Sequence, residues 1–251
     1  MTEIYDIAVI GGGIMGCSAA LRLAQNGMRP IVLDQGDLGQ GASGVNAGTL
    51  SLQIKRVKLM PYALRGHHEW ETMGDAVGFR KTGGYTLAFT QREVELLHER
   101  QTLKAEAGAP ITFVSNNALR SAEPNLSHKV LAASYCPEDG YANSSLTGQY
   151  YRAQLRSNAI PYQERCAVSD ISQDASGFAM ATPQGTITAK RLLLAAGAWL
   201  KPVAGLLGRA GLGRVSNLVL AGRAGLGRVA PGRAGSGEGL PPEGSPPEGP
   251  R

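Results

Sequence analysis

The sequence predicts an α/β fold organised on a parallel sheet, and three observations in its first 34 residues carry that expectation. A short run rich in β-branched residues, Ile4 to Ile10, opens into glycines; a helix-forming stretch follows; a second apolar run closes on an acid, Asp34. Short apolar strands alternating with helices are the pattern of a sheet buried on both faces. With 251 residues and 43% hydrophobic content, the chain is long enough to bury such a sheet.

The elements follow in order. "IYDIAVI" (Ile4 to Ile10) reads as one buried strand that delivers the chain into "GGGIMG". There Gly11, Gly13 and Gly16 have the spacing of the dinucleotide fingerprint. The first glycine permits the tight turn, the second admits a pyrophosphate to the backbone, and the third lets helix and strand pack closely. "IMGCSAALRLAQNG" continues as a helix ending near Gly27, and the free amides and positive dipole end at its start suit a phosphate. "RPIVLD" is the second strand. It ends at Asp34, eighteen residues past Gly16, where a carboxylate can accept hydrogen bonds from a ribose 2′-hydroxyl and disfavours a 2′-phosphate. Glycines that merely turn a corner do not require this order of strand, helix, strand and acid. The unit is Rossmann-like and predicts dinucleotide binding.

"GDLGQGASGVNAGTL" (Gly36 to Leu50) is too rich in Gly, Ala, Ser and Asn for an ordinary crossover helix. Small residues let a backbone lie against a large flat ligand, and Ser43 and nearby amides can hydrogen-bond phosphate or ring atoms. A surface loop is the alternative. Further on, "FRKTGGYTLAFT" (Phe79 to Thr90) ends in a strand, and "QREVELLHERQTLKAEAG" is a polar amphipathic helix capped by Gly108, its charges a solvated face. A helix is expected to begin near Ser144 or Ser145. Ile160 to Trp199 reads as short alternating strands with a hairpin turn at Pro183, Gln184 and Gly185, and "RLLLAAGAW" as a last parallel strand.

The Gly36 to Leu50 segment resembles the second flavin-contacting stretch of the D-amino-acid oxidase-like FAD-dependent oxidoreductases, which include glycine oxidase, sarcosine oxidase and D-amino acid dehydrogenase. The resemblance implies FAD as cofactor, with Ser43 facing the pyrophosphate and Asn46, Ala47 and Gly48 approaching the isoalloxazine. It adds Ile14, Met15, Gln35, Gly41 and Ala42 to the cofactor-binding set. It also implies backbone contacts from Val168 to adenine, and lets the cofactor lie close to the small residues Ala196 and Gly197. "ALRSAEPNL" and "CPEDGYANSSLTGQYYRAQLRSNAI" resemble the family's substrate-domain insert. "DQGDLGQGASGVNAGTLSLQ" and "CPEDGYANSS" are most similar to opine oxidase and hydrogen cyanide synthase type subunits, which work in heteromeric, often membrane-associated complexes.

The implied organisation is a first part of the FAD-binding domain at 1–78, an incomplete mixed α+β substrate-domain insert at 79–143, and a return segment at 144–207. From Gly208 the text changes. "GRAGLGRV" stands at Gly208 to Val215 and again at Gly222 to Val229, and the chain ends in "GEGLPPEGSPPEGPR". That composition cannot bury enough apolar surface to offset chain entropy, and its Gly and Pro break regular elements, so 208–251 is expected to be a disordered tail. Displacement of the family's C-terminal half by frameshift, truncation or fusion is the expected origin. A basic repeat for RNA or lipid headgroups is the alternative, though it lacks aromatic stacking residues.

Charge and composition exclude several classes. The tail's six arginines and three glutamates supply +3 of the net +5, so the basic balance is no sign of nucleic-acid binding. Cys17, Cys136 and Cys166 give neither a disulfide framework nor a zinc spacing, which fits a reducing cytoplasm. Cys17 reads as a small core residue. Neither a signal peptide nor a membrane span is expected at the start. His67 and His68 are expected at the surface or half-buried, and they, His98 and His128 have no metal-ligand spacing, so no metal site is expected. No nucleophile elbow supports hydrolysis.

The function implied by the resemblance is oxidation of the C–N bond of a small-molecule amine or amino acid, of the glycine, sarcosine, D-amino acid or opine class, by hydride transfer to flavin. It would be impaired by the loss of the C-terminal half. No catalytic residue is assigned. Arg80 and Tyr85 either border the ligand or are structural. The alternatives are a non-catalytic nucleotide-binding subunit or truncated fragment, and an NAD-dependent dehydrogenase, which leaves "GASGVNAG" unexplained. A partner subunit and a cytoplasmic location, peripheral at the inner membrane face, follow from the same resemblance.

Overall fold

The computed structural model describes residues 4–207 throughout, and beyond them only the backbone of two short strands. The chain begins with β1 (Ile4–Tyr5), β2 (Ile7–Ile10), α1 (Ile14–Gln25), β3 (Pro30–Leu33) and β4 (Thr49–Leu50). A middle stretch follows: α2 (Met60–Met73), β5 (Arg80–Lys81), β6 (Gly84–Ala88), α3 (Gln91–Glu106), β7 (Thr112–Val114), α4 (Asn116–Ala122), β8 (Ala132–Cys136) and β9 (Gly140–Tyr141). The return comprises α5 (Thr147–Ser157), β10 (Tyr162–Gln163), β11 (Asp170–Asp174), β12 (Gly177–Thr182), β13 (Gly185–Ala189), β14 (Leu192–Leu194) and α6 (Leu200–Gly205). The two strands beyond are β15 (Leu218–Leu220) and β16 (Gly227–Arg228).

The parallel sheet predicted by the first 34 residues is present in the order β10-β3-β2-β14-β15-β16, with β16 alone antiparallel. Every residue of β2, β3 and β14 is buried. Alternate side chains feed two cores. Ala8, Ile10, Ile31, Leu33, Leu192 and Leu194 share one with β12 residues Phe178 and Met180, while Ile7, Val9, Val32 and Leu193 share the other with α1 and α5. Continuous apolar runs are what such two-sided burial requires.

The run Ile4 to Ile10 is two strands rather than the one expected. Asp6 divides it: its carboxylate accepts from the Arg29 N–H (3.0 Å) and pairs with Lys190 (2.8 Å). A charge so engaged cannot enter the buried sheet. β1 therefore joins β13, β12 and β11 in a separate four-stranded sheet, with register Ile4↔Thr188. The expected hairpin is there, Thr182 facing Gly185 across Pro183 and Gln184.

The helix expected near Ser144 begins as a 3-10 turn, Ser144–Leu146, capped by the Asn143 side chain, before α5 proper. α3 has a Thr90 and Glu93 capping box and no buried residue, as its solvated face predicts, and Gly108 follows it at φ +91°. β14 is not the last parallel strand. β15 lies parallel beside it, Leu192↔Leu218 to Leu194↔Leu220, so the tail's one apolar run forms a regular element where none was expected. A trio of Leu and Val residues can extend a sheet edge despite glycine-rich flanks. The rest of the expected disordered tail lies outside the described residues.

The middle stretch forms two small sheets, β4-β9-β5 and β6-β8-β7, with α3 against the second. His67 departs from expectation: it is buried, edge-on to Phe79, with Nε2 3.6 Å from a Glu138 carboxylate oxygen, while His68 is exposed. Among the described residues no cluster of His, Cys, Asp or Glu could hold a metal, and no helix is long and apolar enough to cross a membrane.

Candidate functional site

The site grows from the end of β2, where the chain leaves the sheet through Gly11. Gly11 has φ +116°, and a side chain there would overlap the carbonyl of Ala195 at the end of β14. Gly16 stands so near the Gly11 carbonyl that a Cβ would overlap it. These two glycines are thus required by the backbone alone. Gly12, between the fingerprint positions, is crowded as well: a Cβ there would displace the Cδ2 end of the Leu38 side chain.

Gly13 leads into α1 and carries no side chain to cap it. Ser43 supplies the cap from a distance, its Oγ accepting from the Ile14 N–H at 3.0 Å. The hydroxyl occupies the place at a helix start where a phosphate oxygen is stabilised. The structure therefore brings the two predicted cofactor segments, Gly11 to Gly16 and Gly41 to Gly48, into direct contact. Met15, Gly41, Ala42, Asn46 and Ala47 face outward around this junction.

Asp34 has a task that the sequence did not reveal. Its Oδ2 accepts from the Gly12 N–H at 2.5 Å and its Oδ1 from the Gly36 N–H at 2.8 Å. Both carboxylate oxygens thus hold the glycine turn and the start of the next loop. Gln35 beside it is exposed. Charge-assisted bonds to backbone amides are among the stronger ones available.

Within the loop, Asn46 is spent on its own neighbours: its amide donates to the Ala42 carbonyl (2.8 Å) and its oxygen accepts from the Gly48 N–H (2.8 Å). Gly48, at φ +68°, is buried against the Ala142 carbonyl with no room for a side chain. Ser144 donates to the Asn46 carbonyl at 2.7 Å. Gly39 and Gly148 also meet backbone to backbone, seating the loop on the start of α5. At the far side Val168 is half-buried on the sheet core, and Ala196 and Gly197 follow β14, with the Ala196 amide against Gly11.

Several residues of this wall were not found from sequence. Glu164 accepts from the Leu38 N–H (2.6 Å) and from Arg152 (2.7 Å), tying the loop to α5. Arg165, at φ +53°, donates to the Gly36 carbonyl through its backbone, and its guanidinium pairs with Asp37 at 2.9 Å. That pairing holds the Asp37 carboxyl below the usual aspartate range. The only signal for these was the charge of Glu164 and Arg165, beside Gln163. Arg80 and Tyr85 have structural partners: Arg80 pairs with Asp75 at 2.6 Å, and Tyr85 packs on Tyr135, ring centroids 4.9 Å apart.

The geometry suits FAD in one checkable respect: a cradle made by missing side chains. A Cβ on Gly13 would stand 3.0 Å from the Ser43 hydroxyl, closing the surface between the helix start and the loop. With glycine there, a diphosphate can reach the α1 amides.

Comparison with known proteins bears on the family and the fold. The chain is 32% identical over 212 residues to glycine oxidase of Geobacillus kaustophilus, covering 79% of this chain and 56% of that protein. It is 30% identical over 207 residues to an opine oxidase subunit of Rhizobium meliloti, covering 76% and 56%. The chain thus spans about half the length of these curated relatives. Its fold matches the crystal structure of glycine oxidase from Geobacillus kaustophilus with a TM-score of 0.73 and 26% identity, over 88% of this chain and 67% of that one. The structure of L-proline dehydrogenase from P. horikoshii shares the fold alone, with a TM-score of 0.74 at 20% identity, over 89% and 66%. The family described as FAD dependent oxidoreductase matches residues 6–234, past the Leu207 limit set by the motifs and through β15. On that match, which takes in nearly the whole chain, this protein belongs to the FAD dependent oxidoreductase family.

Proposed function

We propose that the chain supplies the FAD-binding part of an enzyme that oxidises the C–N bond of an amino acid or secondary amine. The carrying observation is the Ser43 contact with α1, which sets a phosphate-binding helix start beside a small-residue loop suited to a flat ring. In this reading Gly11, Gly13, Ile14, Met15, Gly16, Asp34 and Gln35 hold the ADP half. Gly41, Ala42, Ser43, Asn46, Ala47 and Gly48 continue along the diphosphate and ring, with Val168 toward adenine and Ala196 and Gly197 beneath. Bound FAD would accept hydride from the carbon bearing the amine. The chain's own part is to bind, orient and shield. No strong base is needed if the amine arrives neutral, and none is assigned.

The domain division at 1–78, 79–143 and 144–207 belongs to the same proposal. So does a heteromeric partner, supported by the likeness to the opine oxidase subunit. The three cysteines are free and buried, which suits a reducing, cytoplasmic setting. Glycine, sarcosine, D-amino acids and opines are the substrate classes.

By itself the chain is expected to be a weak enzyme. Among the described residues Arg80 and Tyr85 are occupied elsewhere, and a substrate misplaced by about 1 Å loses on the order of a hundredfold in rate. The test is dye reduction with glycine, sarcosine, proline and D-amino acids, by this chain and by one extended with a family-like C-terminal half. Turnover much higher in the extended chain is expected. Equal turnover would overturn the weak-enzyme reading. Silence from both, with FAD bound, would reject amine oxidation and leave a nucleotide-binding subunit.

A further inference from the structure

Asp139 lies in "CPEDGYANSS", outside every group used above, and it is a buried carboxylate at 4% exposure. A charge in that position needs several donors, and it has them. The Ser51 hydroxyl donates to Oδ2 (2.5 Å), the Leu52 N–H to Oδ1 (2.8 Å) and the Gln53 side-chain amide to Oδ2 (3.3 Å). All three donors come from consecutive residues directly after β4, the strand that continues the loop Gly41 to Gly48.

The backbone beyond Leu50 has no strand pairing of its own. β4 pairs with β9 over two residues only, Thr49↔Tyr141 and Leu50↔Gly140, with one more bond from the Ala142 N–H to the Gly48 carbonyl. A ladder so short specifies register weakly. The Asp139 side chain prolongs it by three bonds where the backbone pairing stops. Asp139 is itself anchored, its carbonyl accepting from the Thr82 N–H at 3.1 Å, and Gly84 lies flush against its Cβ.

The network then crosses to the next sheet. Gln53, at 6% exposure, donates to the Gly84 carbonyl of β6 (2.6 Å) and accepts from the Ser134 hydroxyl of β8 (2.5 Å). Lys104 of α3 donates to the Gln53 carbonyl. We propose that Asp139 is a positioning residue for the flavin-facing loop: acting through Ser51, Leu52 and Gln53, it sets Gly41 to Gly48 in register with the sheet β6-β8-β7. Its role is through the protein: it is 4% exposed and both carboxylate oxygens are bonded to protein donors. The proposal rests on the FAD reading above.

The experiment compares FAD with ADP, because ADP reaches only the glycine turn and the Ser43 end of the loop, while FAD also spans the loop's ring-facing end at Asn46 to Gly48. Asp139→Asn keeps the shape but turns an amide toward Ser51 and Gln53. In the full chain, Asp139→Asn should raise the FAD dissociation constant about tenfold, as one lost charge-assisted bond would, while ADP stays within about twofold. The circular dichroism of bound flavin should change, and hydrogen exchange across residues 41–53 should quicken. If Asp139→Asn does not fold, Ser51→Ala removes one arm and should weaken FAD about threefold with ADP unchanged. Equal loss of FAD and ADP, or FAD binding unchanged in the variants, would overturn the positioning role. An unsubstituted chain that binds another dinucleotide and no FAD would overturn the cofactor reading itself, a separate result.

Discussion

The glycine turn at Gly11 to Gly16 and the loop at Leu38 to Gln53 lie against each other but rely in different proportions on backbone packing and on side-chain bonds. The turn is fixed chiefly by backbone packing, Gly11 on Ala195 and Gly16 on Gly11, with no space for a Cβ, and Asp34 adds one bond to its Gly12 amide. The loop shares such packing at Gly39 and Gly48, and is otherwise fixed by side chains that arrive from Ser144, Glu164 and Asp139, about a hundred residues downstream. Backbone packing demands one residue type at each position; side-chain clamps admit many. The turn should therefore be brittle and the loop tunable.

The largest expected effect breaks the turn. Gly11→Val combines a positive φ with overlap at the Ala195 carbonyl, and should cost about 3 kcal/mol or more and abolish nucleotide binding. Urea denaturation and ADP titration check both; a loss below about 1 kcal/mol would mean the turn relaxes, erasing the contrast with the loop.

Asp34→Ala comes next. It strips the acceptors from the Gly12 and Gly36 amides and a candidate acceptor from the ribose, and should weaken FAD by about 1–3 kcal/mol. Unchanged FAD affinity would show that the turn holds itself without the carboxylate.

Ser43→Ala sharpens the comparison at the point of contact. Loss of the α1 cap should cost about 1 kcal/mol without ligand. That cost should shrink in saturating ADP, because a phosphate can replace the hydroxyl at the Ile14 amide. A cost that does not change with ADP would place the phosphate elsewhere.

The smallest effect at neutral pH concerns Cys17, whose thiol donates to the Gly12 carbonyl. Burial first, then the Asp34 and Glu164 carboxylates, push it up to about 12 from the ordinary 9.0. The folded state thus keeps a proton that the unfolded state releases, so its contribution is whole below pH 9.0 and is lost as pH rises toward about 12. Native chain at pH 8 should resist alkylation at Cys17. Rapid labelling there would mean the turn opens far more often than its packing implies.

How much was legible follows from the same division. Gly11, Gly16 and the β2-α1-β3 order were readable, because strand period and glycine geometry are local; the cap that Ser43 places on α1 was not, because it joins positions 29 residues apart. The break at Asp6 was not, since the pairing of β1 with β13 depends on residues some 180 positions away. Asp34 was found, but its engagement with the turn amides was not, because a carboxylate's partners are a tertiary matter. Glu164, Arg165 and Asp139 were missed for that reason too. β15 was missed because three apolar residues among glycines carry too little pattern alone, and only the edge of β14 gives them a place.

The most direct test of the central claim, that turn and loop together form an FAD site, is to release and identify the nucleotide bound to the purified chain, then titrate the stripped protein with FAD, NAD and ADP. FAD is expected in the released fraction, and FAD should bind more tightly than ADP or NAD, because only its flavin half engages the Asn46 to Gly48 end of the loop. NAD in the released fraction without flavin, or FAD binding no tighter than ADP, would contradict that claim.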